Sequence, residues 1–211
     1  MTYMIKAIIF DMDGVLIEAK DWHYDALNRA LNLFGYNISR YDHLTKFDGL
    51  PTKDKLNMLS KEYSLPSELH SFINEMKQHY TMEIVHTHCK PMFIHQYALS
   101  KLKSEGYKLA VASNSIKNSV VTMMEKACLS DYLDIMLSNE DVRKGKPDPE
   151  IYITAINKLG VLPSECVVVE DNENGIRAAL AAGANVLTVD EVTDVNYKNI
   201  KNFILKTEGG R

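Results

Sequence analysis

Two aspartates, Asp11 and Asp13, stand two residues apart in the stretch FDMDGVL, directly after the apolar run Ala7-Ile8-Ile9. An apolar run of that kind belongs in a core, so two acids at its end call for a purpose other than solubility. Three more groups of reactive residues follow apolar runs later in the chain. Ser113-Asn114-Ser115 closes YKLAVASNS, Lys144 and Lys146 lie in KGKPDPE, and Glu170-Asp171 closes ECVVVED. Gathered in one place, four carboxylates repel one another unless a cation sits among them. Hard carboxylate oxygens with no converging His or Cys suit Mg²⁺.

The elements that must position these residues are legible in the pattern of the chain. Strands are expected at 6–10, 107–113, 133–138, 165–171 and 184–190, with helical spacing between them, as in IKNSVVTMMEKACL and EIYITAINKLG. Such alternation predicts an α/β fold, a Rossmann-like doubly wound parallel sheet covered on both faces. Continuous apolar strands such as CVVV fit a sheet buried on both sides. The rhythm breaks between the first and second strands, where residues 18–88 are helical in pattern and polar in tone. That predicts an inserted helical domain at 18–89, with residues 1–17 and 90–211 forming the sheet domain and hinges near 15–21 and 86–92. After Asp190 one more helix, VNYKNIKNFIL, precedes a ragged TEGGR end. Ligands of open parallel sheets bind beyond the carboxyl ends of the strands. Asp11, Asp13, Ser113, Lys146, Glu170 and Asp171 all fall there.

Taken singly, each piece has an ordinary structural reading. Asp13-Gly14 is a turn signal, and Ser113-Asn114-Ser115 suits a helix N-cap. Pro149 suits the first turn of a helix, and Glu170-Asp171 could cap a helix beginning at Asn172. Their order at successive strand ends is what argues for a site. Composition narrows the class. The chain has 211 residues, is 45% hydrophobic and carries a net charge of −4 with both signs mixed along it. It has neither the basic face that nucleic acid demands nor an apolar run approaching the roughly 18 residues of a membrane span. Cys89, Cys128 and Cys166 lack metal-type spacing and read as free thiols. His86, His88 and Cys89 lack a convincing fourth ligand. The apolar run in MTYMIKAIIF is too short for a signal peptide, which leads to the expectation of a cytoplasmic protein, a monomer or small homo-oligomer.

The four groups in order, FDMDGV, VASNS, KGKPDPEIY and VVVEDNENGIRAALAAG, resemble the motifs of the haloacid dehalogenase superfamily. The likeness is to its branch with a helical cap after the first strand, which includes β-phosphoglucomutase and many small phosphatases. It runs from about Lys6 to Asp190. It implies that Asp11 is a nucleophile forming an aspartyl-phosphate, and that Asp13 is the general acid and base, offering its backbone carbonyl to the metal. Mg²⁺ is the implied cofactor, held by Asp11, Asp13 and Asp171, with Glu170 binding directly or through water. Ser113 and the Asn114 backbone N–H would hold the phosphate, the latter at a helix N-terminus. Lys146, directly before Pro147, would balance its charge.

The resemblance also implies an activity: a phosphatase acting on a small phosphorylated metabolite, a sugar or polyol phosphate. Asp13 argues against phosphonate-cleaving and dehalogenating relatives, which lack it. The cap would choose the substrate through the loop Asp48-Gly49-Leu50-Pro51-Thr52-Lys53, with Thr52 capping the next helix, and through His23. Glu18-Ala19 departs from the branch, where an Asp followed by Ser or Thr is common. Two other readings stand beside this one: a β-phosphoglucomutase-type mutase, and a non-catalytic binding protein on the same fold. Lys53, where the mutase pattern has an arginine, favours the phosphatase, since an ammonium cannot grip a second phosphate bidentately.

Overall fold

The computed structural model describes residues 4–47 and 50–209. Asp48 and Gly49 of the expected cap loop therefore lie outside the described residues. Five parallel strands form one sheet in the order β3-β2-β1-β4-β5. They are β1 (Ala7–Phe10), β2 (Lys108–Ala112), β3 (Ile135–Leu137), β4 (Cys166–Glu170) and β5 (Asn185–Thr188). Each falls inside an expected strand and is a residue or more shorter at its ends.

Side chains alternate across a strand, and here both sets are buried. Ala7, Ile9, Ala110, Ala112, Cys166 and Val168 pack with α7 (Glu150–Leu159) and α8 (Glu173–Ala181). The opposite set, Ile8, Phe10, Leu109, Val111, Val167 and Val169, has no exposed surface either. Burying one such aliphatic side chain is worth about 1.5–3 kcal/mol, so the sheet is a stiff platform. The expected last helix is α9 (Tyr197–Gly209), which runs through residues read as a ragged end.

The chain divides into two compact units, Met1–Glu18 with Lys90–Arg211, and Ala19–Cys89. The first contains the sheet, with α5 (Phe93–Ser104) and α6 (Lys117–Lys126) beside the helices already named. The second is helical among its described residues, with α1 (Lys20–Asn32), α2 (Arg40–Asp42), α3 (Thr52–Tyr63) and α4 (His70–His88). Its core joins Leu27, Ala30 and Leu31 of α1 to Phe47, Leu56, Leu59 and Ile73. Among the described residues no helix is long and apolar enough to cross a membrane.

Candidate functional site

Register builds the site. Phe10 pairs with Val111 on one side and Val169 on the other, so the next residue, Asp11, falls level with Ala112 and Glu170. The Asp11 N–H donates to Val169 O at 2.9 Å, which carries the sheet one residue further before the chain turns. The turn is tight. Gly14 N–H donates to Ile17 O at 2.7 Å and Ile17 N–H to Met12 O at 2.9 Å. Gly14 takes φ 90°, a conformation glycine adopts without the cost a side chain imposes. The turn reading of Asp13-Gly14 and the site reading are therefore both true: the turn is what holds Asp13 beside Asp11.

Lys146 enters from the loop before α7. Its Nζ lies 2.6 Å from Asp11 Oδ1 and 2.7 Å from Glu170 Oε1. Lys144, the other lysine of the motif, is exposed, with its Nζ 3.9 Å from Asp148 Oδ2. The Asn114 side chain sets the position of Lys146: its Oδ1 accepts the Lys146 N–H at 2.9 Å and its Nδ2 donates to Lys146 O at 3.3 Å. The expectation for Asn114 concerned its backbone N–H, which these side-chain bonds leave untouched, and only its place at a helix N-terminus shifts. The helix α6 starts at Lys117, with Ile116 as its N-cap, so the Ser113-Asn114-Ser115 turn lies before the helix. Ser113 Oγ accepts the Ser115 N–H at 3.0 Å.

Glu170 is 1% exposed and is held on all sides. Besides Lys146, its Oε1 accepts the Tyr152 hydroxyl at 2.5 Å. Its Oε2 accepts the N–H groups of Asp171 at 3.1 Å and Asn172 at 3.4 Å. Room for this side chain exists because residue 175 is glycine: a Cβ there would lie 1.8 Å from Glu170 Oε1. Capping of α8 falls to Asn172, whose side chain accepts from Asn174 N–H at 2.9 Å, so Glu170 and Asp171 are not its caps.

Ligand oxygens of Asp11, Glu170 and Asp171 all lie within 4.8 Å of one another. Burial pushes Asp11 well above the usual carboxylate range, and Glu170, Asp13 and Asp171 push the same way against Lys146. Burial opposes the charge on Lys146, yet Asp11 and Glu170 outweigh it and hold it at about 12. Four acids thus act on one another here, with one buried ammonium between two of them. That excess of negative charge, presented as carboxylate oxygens alone, fits a divalent hard cation.

The helical unit holds the remaining expected residues. His23 is half-buried on α1, and its Nδ1 lies 3.3 Å from Lys77 Nζ on α4. Lys53 is exposed. Thr52 is the first residue of α3 and does not cap it; the N-cap is Pro51, with no side-chain cap. His86 and His88 are exposed while Cys89 is buried, a poor start for a shared metal.

Several residues of consequence were not singled out in the sequence. Tyr152 and Gly175 sit inside quoted motifs, but a tyrosine beside Ile151, Ala155, Ile156 and Leu159 reads as core, and a helical glycine announces nothing. Lys77 did leave a signal: it shares the i, i+4 stripe Ile73, Lys77, Thr81, Val85, the buried face of α4.

The profile described as haloacid dehalogenase-like hydrolase matches residues 8–189. The phosphorylated carbohydrates phosphatase of Thermotoga maritima is 30% identical over 182 residues, covering 85% of this chain and 82% of that protein. The phosphoglycolate phosphatase of Aquifex aeolicus is 28% identical over 179 residues, with 85% and 82% covered. Among solved structures, β-phosphoglucomutase from Clostridium difficile matches with a TM-score of 0.82 and 24% identity, over 96% of this chain and 98% of that one. That last likeness is one of fold.

Proposed function

We propose, on the premise that this chain belongs to the haloacid dehalogenase-like hydrolases, that it is a Mg²⁺-dependent phosphatase of a sugar or polyol phosphate. The observation that carries the proposal is Lys146, buried with its ammonium between Asp11 and Glu170 at the edge where Asp13 and Asp171 also converge. The name of the Thermotoga maritima relative, a phosphatase of phosphorylated carbohydrates, supports the substrate class.

Asp11 attacks phosphorus and becomes the aspartyl-phosphate. Asp13 protonates the departing alcohol and then takes a proton from the water that releases phosphate. Lys146 holds Asp11 in place and offers charge to the phosphoryl oxygens, where negative charge is spread in the transition state. Ser113 donates its hydroxyl to one of those oxygens, with the Asn114 N–H beside it. Asp11, Asp171 and the Asp13 carbonyl would hold Mg²⁺. Glu170, with both oxygens engaged by the protein, would hold it directly or through water. When bound, the cation offsets the surplus of carboxylates and polarises the phosphoryl group. The helical unit is read as the cap whose side chains select the substrate.

A screen of about a hundred phosphorylated metabolites, ranked by kcat/KM, tests this reading. Phosphate release should require Mg²⁺ and disappear in excess chelator. Release from no ester of the panel would favour a non-catalytic role on this fold. In a separate assay by phosphorus NMR, β-glucose 1-phosphate is supplied with a trace of the 1,6-bisphosphate. Glucose 6-phosphate accumulating faster than free phosphate would replace the phosphatase with a mutase.

A further inference from the structure

Ser115 has no part in the roles above, although it sits at their centre. Its hydroxyl donates to Asp13 Oδ2 at 2.9 Å, joining the turn after β1 to the turn after β2 across 102 residues of chain. The serine is pinned on both sides. Its N–H donates to Ser113 Oγ at 3.0 Å, and its carbonyl accepts the Asn139 N–H at 3.0 Å. One residue before Asn114, Ser113 N–H donates to Leu137 O at 3.0 Å, tying the same turn to the end of β3. Asp13 is pinned from its own side by the turn that Gly14 and Ile17 close. Two stiff turns therefore face each other, joined through the Asp13 side chain and the serine hydroxyl. The bond sets the rotation of the carboxyl group, and while that group is ionised it is among the stronger kinds of hydrogen bond.

We propose that Ser115 is the positioning residue for proton transfer by Asp13, an inference that rests on the phosphatase reading. With Oδ2 accepting from the serine, the mobile proton rides on Oδ1. As Asp11 forms its bond to phosphorus, the bond from phosphorus to the ester oxygen breaks, and the Oδ1 proton passes to that oxygen, which leaves as the alcohol. In the second half, water bonds to phosphorus and the Asp11–phosphorus bond breaks. Oδ1 takes the proton that water gives up, which restores both acids. Ser115 gives up no proton at either step; it keeps Oδ1 aimed.

The leaving group separates this role from a merely structural one. A nitrophenolate departs without protonation, whereas an alkoxide does not, and kcat/KM reports the step in which the alcohol leaves. Ser115→Ala is therefore compared with the wild type on p-nitrophenyl phosphate and on the best alkyl phosphate from the screen. The expected result is a loss of tenfold or more on the alkyl ester and of threefold or less on the nitrophenyl ester, with Ser115→Thr recovering most of the difference. In the Asp13→Asn background, Ser115→Ala should add nothing. An equal loss on both esters, or the same loss in the Asp13→Asn background, overturns the assignment and leaves the phosphatase reading intact. Wild-type protein that hydrolyses neither ester overturns the phosphatase reading itself, and this inference with it.

Discussion

Lys146 in the sheet unit and Lys77 in the helical unit are buried to a similar degree, 5% and 8% exposed, the one in the loop before α7 and the other on the buried face of α4. Lys146 lies between two carboxylates at 2.6 and 2.7 Å, and its backbone is clamped by the Asn114 side chain. Lys77 has the His23 imidazole at 3.3 Å. An ammonium between two anions in a low-dielectric setting is held strongly. The comparison sets a lysine clamped into the strand-end site against one that shares a helix face with apolar residues. The sheet unit commits its charges before any ligand arrives, as preorganised electrostatics requires. In the helical unit, Lys77 and His23 join the buried face of α4 to α1, a pair of side chains suited to meeting a ligand's anion or hydroxyl. Chemistry would then belong to the first unit and selection to the second.

The largest test of that division is Asp11→Asn, which keeps the shape and removes the attacking charge. Turnover should fall by roughly four orders of magnitude or more, with circular dichroism and thermal melting close to the wild type. Ordinary turnover in this variant would end the assignment around which every other role is arranged.

Next in size is the support under Glu170. Gly175→Ala ought to gain about 1 kcal/mol of helix propensity. Its Cβ, however, would lie 1.8 Å from Glu170 Oε1, and Glu170 can move only by breaking bonds to Lys146, Tyr152 and two backbone N–H groups. Hydrogen bonds to charged groups are worth about 1.5–3 kcal/mol each, so the loss wins and Tm should fall. Phosphate release should drop by about a hundredfold, because Lys146 loses its partner. Tyr152→Phe removes one donor alone and should cost about tenfold. A Gly175→Ala protein as stable and active as the wild type would show that Glu170 is not held as described.

A smaller effect is expected from the helical unit. Lys77→Met should raise KM for the best substrate by about tenfold, the scale of one lost charge-assisted contact, and reorder the ranking across the panel. The value of kcat for p-nitrophenyl phosphate should stay within about threefold. A uniform fall in kcat on every ester would break the division between chemistry and selection.

The smallest effect concerns His95 of α5, buried in the sheet unit with its Nε2 2.7 Å from Val192 O. Burial lowers its pKa below 6.5, against the carbonyls of Val192 and Leu16, which favour the charged form. The unfolded chain therefore binds the proton more readily than the folded one. Stability is fully present above pH 6.5 and is lost as pH falls through that value toward the lower folded pKa. Between pH 7.5 and 5.5, Tm of the wild type should decline more steeply than that of His95→Gln. Parallel curves would remove His95 from the account.

The five strands were legible because each is an unbroken apolar run between turn signals, and a doubly covered parallel sheet demands such runs. The insertion was legible as a change of period and polarity after Ile17. The charged members of the site were legible because acids and a lysine after apolar runs have few structural uses. Where expectation and structure part, a helix boundary moved by a residue or two. Thr52 follows the N-cap instead of supplying it, and Asn114 lies two residues before the N-cap of α6.

By itself, then, the order of residues determined the strands, the helical insertion and the chemical types gathered at the strand ends, since period and polarity act over a few residues. The sheet order β3-β2-β1-β4-β5 was decided in three dimensions, because pairing unites strands far apart in the chain, as Ala7 beside Cys166. The same holds for the Tyr152–Glu170–Lys146–Asp11 chain and for the Ser115–Asp13 bond. A hydroxyl or an absent Cβ carries no mark of its partner in the local sequence. Its meaning comes from what the fold places within 3 Å of it, and for residue 175 that neighbour is the carboxylate of Glu170.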